Sequence, residues 1–215
     1  MTGSVLITGA NGTLAIPTVD YLLKKGRVVL FSSEAHAPGR AILEKIPPAI
    51  PDDLDLLVHP ASLDDKQGAG FHRYGTSKLA ITSWTYALNR RLEKDQDLNR
   101  ITAVACNPGG LVDSRMFQKN ISLALRLLMQ YVVRPLLPLM QYQNPQMRTA
   151  AESAVDTIEL ALGKVCPGER GYFELLDRDE SSPESMDEAK QERLWTKSAE
   201  WARINKDNIA LRNAC

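Results

Sequence analysis

Short, unbroken apolar runs alternate along this chain with longer stretches in which apolar residues recur every three or four positions. Ser4 to Thr8 (SVLIT) is such a run, stopped by Gly9, and has the pattern of a buried strand. From Asn11 to Lys25 the spacing turns helical, with Leu14, Val19, Leu22 and Leu23 apolar and Gly26 following as a C-cap. Arg27 to Ser32 predicts a second strand, Ile101 to Cys106 a third and Gly171 to Leu176 a last one. Tyr74 to Glu93 is the clearest long helix, its buried stripe drawn by Leu79, Ile81, Trp84, Ala87, Leu88 and Leu92.

Weaker patterns fill the rest. Ser122 to Leu137 predicts an apolar helix broken near Pro135 and Pro138, and Thr149 to Leu162 another helix. Asp177 to Pro183 predicts a polar loop. Ser185-x-x-Glu188 has the form of a capping box that opens a final helix running to about Ile204. Between Ala35 and Arg73 the prolines at 38, 47, 48, 51 and 60 predict loops, with a short helix near Arg40 to Lys45 and a short strand near Leu54 to Val58. Strands alternating with helices predict a parallel α/β sheet.

Composition narrows the class of function. The 215 residues suffice for one domain with a real core, and Lys plus Arg balance Asp plus Glu at 26 each. That balance argues against a nucleic-acid partner, which calls for a basic surplus or stripe. Cys106, Cys166 and Cys215 are far apart and form no C-x-x-C pair, so reduced thiols in a cytoplasmic protein are the expectation. His36, His59 and His72 lack ligand spacing, and no metal site is expected. The N-terminus shows no basic region followed by an apolar run, so no secretory signal is expected. Arg126, Arg134, Pro135 and Pro138 argue against a membrane-spanning helix in the most apolar stretch, 121–140.

Two local patterns carry candidate chemistry. Thr8-Gly9-Ala10-Asn11-Gly12-Thr13-Leu14-Ala15 joins the first strand to the first helix, where backbone N–H groups can approach a pyrophosphate and the helix dipole favours negative charge. An ordinary tight turn explains the same spacing equally well. In Tyr74-Gly75-Thr76-Ser77-Lys78, residues four apart share one helix face, ~6 Å apart along the axis. An ammonium near a phenol favours the phenolate, which suits the phenol to proton exchange with a carbonyl or alcohol oxygen. Tyr21-x-x-x-Lys25 matches the same spacing, but at the C-terminal end of a helix, away from where parallel sheets bind ligands.

TGANGTLA at 8–15, a strand ending in Ser33, YGTSK at 74–78 and NPGG at 107–110 follow in one order. Together they resemble the short-chain dehydrogenase/reductase family. FSSEAH at 31–36, RYGTSKLA at 73–80, GYFELL and RLWTKSAEW are similar to its retinol-dehydrogenase-like and fungal secondary-metabolism members. The resemblance implies a Rossmann-like, doubly wound α/β fold in a single domain over 1–215. Its parts would be a dinucleotide turn and serine strand (1–34), a catalytic helix and Pro-Gly turn (74–114), substrate-lid helices (119–165) and a C-terminal strand and helix (171–215).

It also implies roles. Ser33 would hydrogen-bond the substrate oxygen, Tyr74 would be the general acid/base, and Lys78 would lower the Tyr74 pKa and hold the nicotinamide ribose. Gly9, Asn11, Gly12, Thr13 and Leu14 would lie along the cofactor diphosphate and ribose. Pro108 and Gly109 would border the nicotinamide, and Ser114 would contact it or the phosphates. The cofactor implied is NADP(H) or NAD(H), with NADP(H) preferred on resemblance alone. The reaction implied interconverts a carbonyl and a secondary alcohol on a small hydrophobic substrate, as a tailoring step in secondary-metabolite biosynthesis. Homo-oligomers and a weak membrane-surface contact through 121–142 are further expectations.

The chain also departs from the pattern. Of the family's glycines only Gly9 stands, with Thr13 and Ala15 in place of the other two. Arg27 begins the serine strand directly after the first helix, so a segment on the order of 100 residues, at ~30 per strand–helix unit, has no counterpart. Strand 27–32 is therefore predicted to lie directly beside strand 4–8, in a reduced sheet of about four parallel strands. Two other functions stay open: a shortened, catalytically inactive relative with a binding role or none, and a peripheral membrane or partner-binding module using 121–142.

Overall fold

The computed structural model describes residues 5–7, 26–61, 64–113 and 127–204. The glycine-rich turn, the predicted first helix, Ser114 and the first part of the predicted lid lie outside the described residues. Strands β1 (Val5–Ile7), β2 (Arg27–Phe31), β3 (Thr102–Asn107) and β6 (Gly171–Glu174) pair in parallel in that order. β1 and β2 are neighbours, Val5 opposite Arg27, as the shortened sequence requires.

β2 and β3 are buried on both faces, which is why their sequences are continuous apolar runs rather than alternating ones. On one face Val28, Leu30 and Ala103 meet Ala87, Leu88 and Leu92 of helix α1 (Lys66–Lys94) and Trp195 of a C-terminal helix. On the other, Val29, Val104, Cys106 and Phe173 meet Leu160 and Ala161 of a second helix. Helices thus cover both faces of a single sheet.

α1 starts at Lys66, not at Tyr74, so Tyr74 stands in its third turn. Residues 66–73 carry little apolar periodicity, and the start is set instead by a polar cap: the Asp65 carboxylate accepts the Gly68 N–H at 3.0 Å. Asn89, buried in α1, grips β3 at both polar atoms of Ala103: its amide donates to the Ala103 carbonyl at 2.8 Å and accepts the Ala103 N–H at 2.9 Å. Asn89→Leu is expected to lower stability by about 2–3 kcal/mol, because both backbone groups lose their partner; urea denaturation would measure it.

Several predicted elements differ. Residues 40–45 form turns without a helix. Leu54–Leu57 is a 3-10 turn rather than a strand, because the Asp53 carboxylate accepts the Asp55 N–H at 3.0 Å and a local Asx bond wins over extension. The predicted lid helix is not broken at its prolines. A π turn, Met129–Val133, leads into α2 (Arg134–Gln143), which holds Pro138 in its interior. The wider π turn relieves the crowding that the Pro135 ring would impose on the carbonyl four residues earlier.

After α2, β5 (Met147–Arg148) pairs with β4 (Gly110–Leu111) beside the β3 end. Helix α3 (Ala150–Ala161) opens on a full capping box of Thr149 and Glu152. Within the predicted 177–183 loop, β7 (Asp177–Arg178) folds back antiparallel on β6. The last described helix, α4 (Glu188–Trp201), is capped by Asp187, not by Ser185, whose hydroxyl donates to the Ser182 carbonyl at 2.6 Å. α4 packs on α1 through the Trp84–Trp195 stack, ring centroids 4.8 Å apart, and through Glu192. The Arg91 and Arg90 guanidiniums hold the Glu192 carboxyl down at about 2.

Candidate active site

The carboxyl ends of parallel strands are where open α/β sheets bind ligands. Here a cleft of about 600 Å³ opens beyond the ends of β2 and β3. Ser33, Tyr74, Lys78, Pro108 and Gly109 all line it, although they are spread over more than seventy positions of sequence. Phe31, Leu111, Ala150 and Ala154 supply apolar wall. Gly9, Asn11, Gly12, Thr13, Leu14 and Ser114 lie outside the described residues.

Each polar member has a definite hydrogen-bond state. The Lys78 ammonium reaches back to the end of β2 and donates to the Phe31 carbonyl at 2.9 Å, while its Nζ stands 5.5 Å from the centre of the Tyr74 ring. Burial lowers its pKa from the ordinary lysine value. An ammonium has three donors, so two remain for further acceptors. Tyr74 is 43% exposed, and among the described residues its hydroxyl has no hydrogen-bond partner. The Ser33 hydroxyl accepts the Ala35 N–H at 3.3 Å and so caps the 3-10 turn Glu34–His36. That structural duty uses an acceptor lone pair and leaves the O–H as a donor toward the cleft.

The turn that carries Ser33 is held by two residues the sequence reading did not single out. His36 is fully buried: its Nδ1–H donates to the Ser33 carbonyl at 2.7 Å, and its Nε2 accepts the Ser182 N–H at 3.1 Å. Only the neutral imidazole can do both, and burial, the largest influence, pushes its pKa below the usual 6.5. The unfolded chain therefore binds the proton more readily. The stability this ring contributes is complete above about pH 6.5 and is lost as pH falls toward the lower native value. His36→Gln is expected to flatten the fall in urea midpoint between pH 7.5 and 5.5; an unchanged slope would assign that pH dependence elsewhere.

Gly75 is the second. A Cβ there would stand 2.7 Å from the Ala35 carbonyl oxygen and 3.3 Å from Pro48. Its hydrogen lets α1 lie against the Ser33 turn, which brings Ser33 and Tyr74 into one cleft. Glycine inside a helix is otherwise unfavourable, and this is the signal the sequence offered. Gly75→Ala is expected to separate the two, costing about 1–3 kcal/mol of overpacking, with a larger loss in turnover than in melting temperature.

The Asn107–Gly110 turn forms the facing wall. Gly109 has φ +85°, and a side chain there would meet the Gln146 carbonyl at 2.8 Å. Its N–H donates to the Asn107 side-chain oxygen at 3.2 Å, and the Ser153 hydroxyl of α3 donates to the Pro108 carbonyl at 2.7 Å. The turn is thus anchored from both ends.

A reduced parallel sheet with helices on both faces, and a Ser–Tyr–Lys set at its carboxyl edge, define a protein of the short-chain dehydrogenase type. The model of the AcuH dehydrogenase domain matches residues 115–211. Dehydrogenase acuH of Aspergillus aculeatus is 41% identical over 92 residues, 43% of this chain and 94% of acuH. Short-chain dehydrogenase iccH of Talaromyces variabilis is 32% identical over 159 residues, covering 72% of this chain. That match is long enough to include Tyr74 and Lys78 wherever it starts. This chain spans only 42% of the length of iccH. Among solved structures, an uncharacterized protein from Mycobacterium paratuberculosis shares 22% identity at a TM-score of 0.45, over 82% of this chain and 50% of that one. The chain belongs to the fungal short-chain dehydrogenase family that includes acuH and iccH.

Proposed function

We propose that the protein is an NAD(P)-dependent oxidoreductase that interconverts a carbonyl and a secondary alcohol on a small hydrophobic substrate. The observation that carries this reading is the meeting of Ser33, Tyr74 and Lys78 in one cleft at the sheet's carboxyl edge. Membership of a family whose relatives are named dehydrogenases supports it.

The donor set fits the reacting end of a nicotinamide cofactor. Lys78 keeps two N–H donors for ribose hydroxyls, and Pro108 and Gly109 line the same cleft. The cofactor, when bound, supplies or accepts the hydride. In reduction, Ser33 donates its O–H to the substrate oxygen and orients it. The Tyr74 hydroxyl gives its proton to that oxygen as negative charge develops. The nearby Lys78 cation stabilises the phenolate left behind, and in oxidation the same phenolate takes the alcohol proton. Phe31, Leu111, Ala150 and Ala154 favour an apolar substrate body and exclude water. A tailoring step in fungal secondary metabolism suits such a substrate.

A binding role without turnover is the second reading, favoured by one observation: among the described residues β1 is the edge of the sheet, with no strand beyond it to carry an adenosine pocket. Isothermal calorimetry with NADPH and with NADH separates the two. Saturable micromolar binding of either, followed by cofactor oxidation with an apolar ketone or aldehyde, is the expected result. A folded chain that binds neither cofactor would leave only the second reading.

A further inference from the structure

One carboxylate of the cleft is left without a partner. Glu34 follows Ser33 directly and lines the same cleft. It is half-buried, and among the described residues its side chain takes part in no hydrogen bond or ion pair. The cation that acts on it is Arg40, whose guanidinium is engaged elsewhere: it donates to the Asp179 carboxylate at 2.9 Å and to Glu174 at 3.4 Å. Burial is the larger influence and pushes the Glu34 carboxyl up from its ordinary value, against the pull of Arg40.

The turn itself uses other atoms. The Ser33 hydroxyl caps it, the His36 ring clamps it, and the Glu34 carbonyl accepts the Ala37 N–H at 3.0 Å. The Glu34 side chain therefore has no bond to make for the fold. A carboxylate that is half removed from water and meets no donor is unfavourable, and a ligand that brings a donor relieves it.

The surroundings limit what that donor can be. Consecutive Cα atoms stand about 3.8 Å apart, so a group that meets Glu34 lies within a few bonds of the oxygen held by Ser33. Phe31, Leu111, Ala150 and Ala154 make the walls apolar, and Lys78 already places a cation in the cleft. A substrate ammonium would be stripped of water beside that cation. A neutral hydroxyl loses far less hydration and still makes a charge-assisted bond to a carboxylate.

We propose that Glu34 is a specificity-determining residue that accepts a hydrogen bond from an alcohol carried a few bonds from the substrate carbonyl. This rests on the oxidoreductase reading and specifies its substrate: an apolar hydroxyketone or hydroxyaldehyde. The test is steady-state oxidation of NADPH, or of NADH, by the full chain with benzylacetone and with its β-hydroxy derivative, which differ by one hydroxyl. The parent is expected to favour the hydroxyketone by roughly tenfold or more in kcat/KM, the scale of a hydrogen bond to a charged group, chiefly through KM. Glu34→Leu should bring the two ketones to within about twofold of each other. Glu34→Gln, whose amide oxygen still accepts, should keep part of the preference and serves if the leucine variant folds poorly.

Equal kcat/KM for the two ketones in the parent would overturn the role of Glu34 and leave the oxidoreductase reading standing. So would a preference that survives Glu34→Leu, a stronger preference for the β-amino ketone, or cofactor binding without turnover of the hydroxyketone. A folded parent that binds neither cofactor would remove the oxidoreductase reading, and this assignment with it.

Discussion

Tyr74→Phe is expected to lower turnover of a carbonyl substrate by roughly 10²- to 10⁴-fold, the usual contribution of a positioned general acid, and to leave the melting temperature within a degree or so of the parent. The asymmetry follows from where the hydroxyl is. The ring packs beside Phe71, centroids 5.9 Å apart, and phenylalanine keeps that contact. Tyr74 lines the cleft, and among the described residues its hydroxyl bonds to nothing. Removing it takes away no native hydrogen bond, only the proton. Cofactor affinity should be retained, since Lys78 keeps its bond to the Phe31 carbonyl in the variant. Turnover equal to the parent's would remove Tyr74 from the mechanism, and with it the functional reading.

Arg27→Met should instead destabilise the whole fold, by about 3–5 kcal/mol, since several buried carbonyls each lose a donor. Arg27 opens β2 and is only 5% exposed, yet among the described residues it has no carboxylate partner in contact. Its Nε donates to the Thr102 hydroxyl at 3.1 Å, tying β2 to β3. Its Nη1 donates to the Leu160 and Val165 carbonyls at 3.1 and 3.2 Å, and its Nη2 to those of Cys166 and Glu169. One guanidinium thereby closes the end of α3 and the loop after it onto the sheet. Burial lowers its pKa from the ordinary arginine value, but the group stays charged, so methionine matches its length and none of its donors. Arg27→Lys should recover part of the loss, since an ammonium reaches fewer of these acceptors. A urea-derived loss below about 1 kcal/mol would show that the carbonyls find water instead.

Both residues stand in motifs that are plain in the sequence, and both show where reading a sequence stops. Tyr74 was legible as chemistry because a Tyr and a Lys four apart on a helix have a physical reason to cooperate. It was misplaced as the first residue of α1, because apolar periodicity begins there while the real start is a polar cap at Asp65. Arg27 was legible only as the first residue of a strand. Nothing nearby in the sequence announces that its acceptors lie at 160–169.

The chain by itself indicated a parallel sheet of about four strands and the place of β2 beside β1. Runs such as Val28 to Leu30 and Ala103 to Cys106 have the pattern of strands buried on both faces, and the short link before Arg27 predicts β2 beside β1, where it stands. It also supplied the candidate polar residues of the cleft, Ser33, Tyr74 and Lys78. Tertiary structure alone decided how those residues meet. Gly75 admits the Ala35 carbonyl, His36 clamps the Ser33 turn, and α2 runs through Pro138 behind a π turn. The first two depend on residues distant in sequence coming together, Gly75 with Ala35 and His36 with Ser182, and hydrophobic periodicity, which reports only inward or outward, carries no information at that range.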